Sequence, residues 1–305
     1  MKNMKKTIGF AALMLALMVM GTLVMAQFKM PDLKDLDKAK GLIETGKKVA
    51  DASKPWTYPE ERATGEVLAA QVASSFGGVW RGNKSADAWT AYVNKIGRGL
   101  VPYGNRPDIK YRFAILNSDD INAYSCPGGY IFVTRGLLKS LNNEAQLAGV
   151  LAHEIAHASE RHIEKAIKNQ KVMSAVLEGG VNFAQAQGKL DGNQATLAKN
   201  LGNAGFDILT KTGLSQADEF EADKVGTETI YRMGYTAAGI SSYMKRLRDA
   251  EGTKGSQMKY ILATHPSPDA RVTKLKQLMD KQGMDVNRPN LADRYQAMVS
   301  SNPVP

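Results

Sequence analysis

At 305 residues, the chain is long enough for one sizeable folded domain with terminal extensions, and its 43% hydrophobic content is ordinary for a globular protein. The net charge of +10 is spread along the chain without a basic stripe interleaved with aromatics, so the composition argues against nucleic-acid binding. A single cysteine, Cys126, excludes an internal disulfide.

The N-terminus reads as an export signal. Lys2, Lys5 and Lys6 precede an apolar run from Ile8 to Met25, and Val24-Met25-Ala26 offers a cleavage site, giving a signal peptide over 1–26. The alternative is a retained anchor, because the uncharged stretch from Thr7 to Phe28 is just long enough to span a bilayer. Both readings place the chain in a bacterial periplasm, where weak peripheral attraction to an anionic membrane surface fits the basic charge. No cysteine stands near the cleavage site, which excludes a lipoprotein.

Residues 27–56 read as a leader or amphipathic helix, with Leu33, Leu36, Leu42, Ile43 and Val49 roughly on one face and Pro55 and Pro59 as punctuation. Helices are expected over Glu60–Phe76 and Ala86–Leu100. Lys110–Leu116 alternates Tyr111, Phe113 and Ile115 as a half-buried strand does. Strands over Ile121–Ser125 and Tyr130–Thr134 flank the turn signal Pro127-Gly128-Gly129. Asn143, with Gln146 three residues later, supplies a cap for the next helix. The stretch from Lys171 to Gly213 is rich in Ala, Gly and Asn and suits helices packed beside or over a cleft. Further helices are expected over Ala217–Met233, Ala237–Ala250 and Pro268–Lys281, followed by a polar tail over 283–305 without a 34-residue repeat.

The chemistry concentrates in His153-Glu154-Ile155-Ala156-His157, within the helical stretch Gln146–Ile167. Helical residues four apart lie roughly 40° apart around the axis and about 6 Å along it, so both imidazoles can point at one metal ion while Glu154 leans over it. Two histidine ligands and a displaced carboxylate base are the parts of a hydrolytic zinc centre. Three residues compete for the third ligand. Glu160 lies seven residues beyond His153, and three ligands from one straight helix rarely converge on a tetrahedral ion. His162 falls on another face of the same helix. Glu219 sits in a second helical stretch, Ser215–Arg232, where it shares a face with Asp223 at i, i+4. That spacing suits a ligand carboxylate followed by one that holds the distal N–H of a ligating histidine. Without the upstream histidines, Asp218, Glu219, Glu221 and Asp223 would read as a solvated acidic face.

The pattern HEIAHxxxRH, followed some sixty residues later by ExxAD, resembles the HtpX-like and CAAX-prenyl-protease-like zinc metallopeptidases, which are gluzincins. The segment from Asn122 to Leu138 is similar to that family's NAxxxPGGxIxVxxGLL motif, and Thr264-His265-Pro266 through Arg271 to its THPxxxxR loop. The similarity runs from about Pro59 to Leu278. It implies an α+β, mainly helical zincin-like domain over 57–282, with a small sheet whose edge strand flanks the cleft. It also implies one Zn²⁺ per chain, held by His153, His157 and Glu219, with Asp223 behind them and Glu154 as general base. The implied activity is an envelope endopeptidase acting on unfolded or misassembled proteins. Asn122, Ala123, Tyr124 and Ser125 are then the strand to which a substrate adds; the bland reading is an ordinary internal hairpin strand.

Two residues keep two readings each. His265 either packs its proline-bounded loop or reaches the metal or the scissile carbonyl, as a gate or as a stabiliser of the oxyanion. Cys126 is read as a small half-buried residue beside a turn in preference to a nucleophile. The competing function is a zinc-containing periplasmic chaperone or assembly scaffold, against which the intact Glu154 argues.

Overall fold

In the computed structural model, which describes residues 54–177, 194–251 and 268–305, the first helix begins where the sequence supplies a capping box. The Thr57 amide donates to the Glu60 carboxylate at 2.8 Å, and α1 runs Tyr58–Ser75. It starts two residues ahead of the expected Glu60 because proline is tolerated in the first turn, where no N–H partner is needed. Asn83 caps α2 (Lys84–Leu100) by accepting from the Ala86 amide at 2.9 Å. Trp89, Val93, Ile96 and Leu100 then form one buried stripe at helical spacing.

Three short strands follow: β1 (Arg112–Leu116), β2 (Ala123–Cys126) and β3 (Tyr130–Thr134). Their order is β1-β3-β2, with β1 parallel and β2 antiparallel to β3. The link between β2 and β3 needs glycine, since Gly128 and Gly129 have φ of 72° and 86°. Strand β2, like β1, is an edge of the sheet, in line with the edge strand the family resemblance implies, and its four residues are buried. It begins at Ala123, however. Asn122 stands before it, exchanging backbone and side-chain hydrogen bonds with Thr134 at the end of β3.

After the short α3 (Arg135–Ser140), the chain enters the helix around which the rest packs, α4 (Glu144–Ser159). Asn143 accepts from the Gln146 amide at 2.9 Å, and Gln146 reaches back to the Asn142 amide at 2.8 Å. Every residue of α4 except Val150 is buried, so this helix has no solvent face. Leu147, Leu151 and Ile155 meet the α2 stripe and Ile131 and Val133 of β3 in the largest apolar cluster. A second cluster joins Leu68 and Val72 of α1, Tyr124, Phe132 and Ile163.

Helix α4 is followed by Glu160 and by Arg161, a non-glycine residue with φ 59°, which separates it from α5 (His162–Leu177). Then come α6 (Gln194–Asp207), a π turn over Ile208–Thr212, α7 (Gln216–Arg232), α8 (Gly239–Glu251) and α9 (Pro268–Gln282). Ser215 caps α7 by accepting from the Asp218 amide.

The stretch expected as a polar tail is part of the packed fold. It carries α10 (Ala292–Ser301), with Tyr295 fully buried and donating to the Leu138 carbonyl at 2.7 Å. Arg294 pairs with the buried Glu144 at the start of α4, where Tyr92 and Tyr235 also donate, each at 2.5 Å. Lys54–Pro305 pack as one unit, wider at its C-terminal end than the expected 57–282. Among the described residues no helix is long and apolar enough to cross a membrane. The export signal, most of the leader, residues 178–193 of the Ala/Gly/Asn-rich stretch and the loop bearing His265 lie outside the described residues.

Small residues set the distance between α4 and α7. A Cβ on Gly226 would lie 3.0 Å from the His153 amide nitrogen and 3.2 Å from the Ala152 carbonyl carbon, while Ala156 and Ala222 fill the next turn. Backbone on one side leaves little to yield. Gly226→Val is therefore expected to destabilise the fold by about 1–3 kcal/mol, and Gly226→Ala by less. Denaturant midpoints of the three proteins measure this, and equal midpoints would mean the two helices have slack.

Candidate metal centre

The close approach of α7 to α4 brings three donor groups together. His153 and His157 lie on successive turns of α4 with rings at 90° and centroids 4.5 Å apart. Their Nε2 atoms face each other at 2.9 Å. From α7, the Glu219 carboxylate spans the pair: Oε2 is 3.5 Å from His153 Nε2 and Oε1 is 3.5 Å from His157 Nε2. Bonds of about 2.05 Å in a tetrahedral zinc site imply ligand atoms about 3.3 Å apart, so these separations fit one ion of that size. The three residues form a buried cluster that can hold a metal.

Asp223, one turn beyond Glu219, takes the other side of the first imidazole, with Oδ1 3.0 Å from His153 Nδ1. Arg271 of α9 closes the cluster. Its Nε and Nη2 donate to the two Asp223 oxygens at 2.7 Å each, and its Nη1 lies 3.0 Å from Glu219 Oε2. The sequence left the partner of Arg271 open; the structure gives it both acids. Burial alone would raise the Asp223 carboxyl, but the Arg271 charge and its hydrogen bonds hold it below the usual carboxylate range. For His153, burial opposes protonation, yet the Asp223 and Glu219 carboxylates prevail and push its pKa up to about 9.

Glu154 lies between the two histidines in sequence and is buried with them. With His157 it lines a cleft shared with Ala123, Tyr124 and Ser125 of β2 and with Ile208, Leu209 and Leu214. The Ser125 hydroxyl donates to the Glu154 carbonyl at 2.8 Å, tying the outer strand to the helix turn that carries this carboxylate. Cys126 is fully buried, and burial, with the Glu154 charge behind it, pushes its thiol up. The thiolate a nucleophile needs is disfavoured there.

Of the three competitors for the third ligand, Glu219 lies at the histidine pair. Glu160 instead accepts from Asn105 at 2.7 Å. His162 lies beside His157 on its far side, Nδ1 to Nδ1 at 2.7 Å, with Glu221 at its other nitrogen. The straight-helix reading put His162 on an unrelated face and missed this contact, because the left-handed Arg161 turns the chain back. The Ile208–Leu214 side of the cleft also escaped the sequence reading, which found only a helical stretch beside or over it.

Comparison with known proteins fits this geometry. Residues 87–279, more than half of the chain, match peptidase family M48. The chain is similar to the beta-barrel assembly-enhancing protease of Yersinia pestis, at 32% identity over 60% of this chain and 37% of that protein. It is also similar to the mitochondrial metalloendopeptidase OMA1 of Schizosaccharomyces pombe (28% identity; 62% of this chain, 52% of that one). The metalloprotease LoiP of Escherichia coli K12 matches at 24% identity over 64% of this chain and 71% of its own. The chain thus spans little more than a third of the assembly-enhancing proteases it matches. With the family's span enclosing both histidines, Glu154, Glu219, Asp223 and Arg271, this chain belongs to peptidase family M48.

Proposed function

We propose that this protein is a zinc endopeptidase of the bacterial cell envelope that hydrolyses unfolded or misassembled proteins. One observation carries the reading: two imidazoles and a carboxylate converge beside a cleft that a further carboxylate, Glu154, lines. His153, His157 and Glu219 would hold the ion. When bound, zinc supplies a Lewis acid that acidifies water and polarises a carbonyl oxygen. Glu154 takes a proton from the attacking water as the C–O bond forms, then delivers it to the amine nitrogen as the C–N bond breaks. Asp223 accepts the Nδ1–H of His153, which leaves Nε2 as the ligating atom, and Arg271 keeps Asp223 ionised while it is buried and also pairs with Glu219. His265, six residues before Arg271 in the chain, is proposed to gate the centre or to stabilise the oxyanion.

The substrate would lie extended along β2. That strand is an edge of its sheet, and Ala123, Tyr124 and Ser125 line the same cleft as Glu154. Strand addition reads backbone amides and carbonyls, which suits clients that have lost their fold. The envelope location rests on the basic and apolar N-terminus, proposed as an export signal over 1–26, and is consistent with relatives named for β-barrel assembly. One zinc per chain is proposed.

Two measurements test the mechanism. Glu154→Gln should keep its zinc, by metal analysis, and cut casein at least about 100-fold more slowly, the usual worth of a general base. Cleavage at the wild-type rate would remove Glu154 from the reaction and favour an accidental or purely structural centre. Second, the raised pKa of His153, about 9, means that its Nε2 carries a proton at neutral pH until a metal displaces it. Calorimetric titration of zinc into chelator-stripped protein, in buffers of different ionisation enthalpy, should release about one proton from this group at about pH 7.5 and none above its pKa. A release that does not fall as pH passes 9 would assign the proton elsewhere.

A further inference from the structure

His162 is the one described histidine outside the proposed ligand set, and it is fully buried. It reaches the metal centre by a break in the helix. On an unbroken helix a residue five positions on lies roughly 140° around the axis, away from His157. Arg161, at φ 59°, ends α4 and starts α5 in a direction that returns the next side chain to the far edge of the His157 ring. A non-glycine residue in the left-handed region is strained. It persists here with Arg161 Nη1 donating to the Trp56 carbonyl at 3.2 Å and lying 3.7 Å from Glu164.

Hydrogen-bond complementarity then fixes where the protons sit. The two Nδ1 atoms are 2.7 Å apart, so one of them donates and the other accepts. The His157 Nε2 faces His153 and Glu219 and must offer a lone pair to a metal, which puts the His157 proton on Nδ1. His162 Nδ1 is then the acceptor. Its own proton lies on Nε2, which points at Glu221 Oε2 at 3.1 Å with Asp218 Oδ1 at 3.7 Å. A chain of hydrogen bonds thus runs from the half-exposed Glu221 on α7, through His162, to His157 on α4. It mirrors on the second ligand what Asp223 does on the first.

We propose that His162 is a positioning residue of the metal centre: it accepts the Nδ1–H of His157 and is itself oriented by Glu221, so that His157 presents Nε2 to the ion. This rests on the zinc reading above. The same trio of His162, Asp218 and Glu221 meets the spacing of a second cation site, but Lys165 Nζ, 3.6 Å from Glu221 Oε2, already supplies a positive charge there. The geometry favours the hydrogen-bonded arrangement.

The test compares His162→Phe, which fills the space without an acceptor, with His162→Asn, whose Oδ1 replaces the Nδ1 acceptor. Zinc affinity is read by competition with a chromophoric chelator, with wild-type protein alongside. The Phe variant should bind zinc about 10–100-fold more weakly and the Asn variant within about threefold of wild type, the range expected for a group that orients a ligating histidine. Equal affinity in the Phe variant, or equal loss in both, overturns the proposal while wild-type binding leaves the zinc reading standing. Failure of the wild type itself to bind zinc overturns both. A direct readout needs no variant. The chain has only four histidines, so long-range proton–nitrogen spectra of zinc-loaded, ¹⁵N-histidine-labelled protein resolve each tautomer. An Nε2–H tautomer for His162 supports the proposal; an Nδ1–H or doubly protonated ring overturns it. So does a second equivalent of zinc that Glu221→Ala abolishes.

Discussion

Two imidazoles, two carboxylates and a guanidinium share a space that solvent scarcely reaches, and their mutual neutralisation governs how α4, α7 and α9 meet. Glu219 is 0% exposed, Asp223 and His157 2%, His153 5% and Arg271 6%. Burying any one of these charges alone costs several kcal/mol, so none could occupy this position without the others. Arg271 is the group that makes the arrangement affordable without a metal, because it meets both acids at once. The helix that carries it is thereby drawn to the back of the centre, 48 positions along the chain from Asp223. Functional and folding constraints coincide here: the same contacts that aim His153 also dock α9.

Two proposed ligands on one helix are useful only if that helix cannot slide or rotate. Ligand positions must hold to about 0.5 Å. Helix α4 is pinned at both ends by polar contacts and along its length by apolar ones. At its N-terminus, Glu144 is fully buried and takes hydrogen bonds from Tyr92, Tyr235 and Arg294, three residues from three different parts of the chain. A carboxylate in the first turn also suits the positive end of the helix dipole. At its C-terminus the left-handed Arg161 stops the helix one residue before His162. Between these ends, the small residues facing α7 fix the spacing across which Glu219 must reach.

What the sequence reveals follows the range of the interaction. HExxH is legible because the i, i+4 relation is local, and Glu219 with Asp223 repeats it on a second helix. Asn143 and Ser215 mark helix starts for the same reason. The partner of Arg271 was not legible, since nothing local relates α9 to α7. His162 was misplaced because helical periodicity assumes an unbroken helix, and a left-handed arginine has no sequence signature. The C-terminal stretch was misread for a different reason: its polar composition drew attention from Tyr295, Met298 and Val299, whose i, i+3, i+4 spacing is that of a buried helical face. The strand boundary moved from Ile121 to Ala123 because Asn122 spends its hydrogen bonds on Thr134.

The link between Ser125 and Glu154 bears on how a peptide would be aligned in the proposed enzyme. Elsewhere strands and helices meet through apolar side chains, whose contacts are not directional. Here a directional bond of 2.8 Å joins the outer strand to the helix turn bearing Glu154. A chain added to β2 would take its register from β2 backbone groups, and β2 in turn takes its position from that turn. The distance from the scissile carbonyl to the carboxylate would then be set by two hydrogen-bonded steps, with no mobile loop between them. Side-chain identity enters where the cleft is lined by Ile208, Leu209 and Leu214, apolar residues facing the same cleft as the strand. Selection would fall first on whether a segment can lie extended, and a folded domain, whose strands are already paired, cannot.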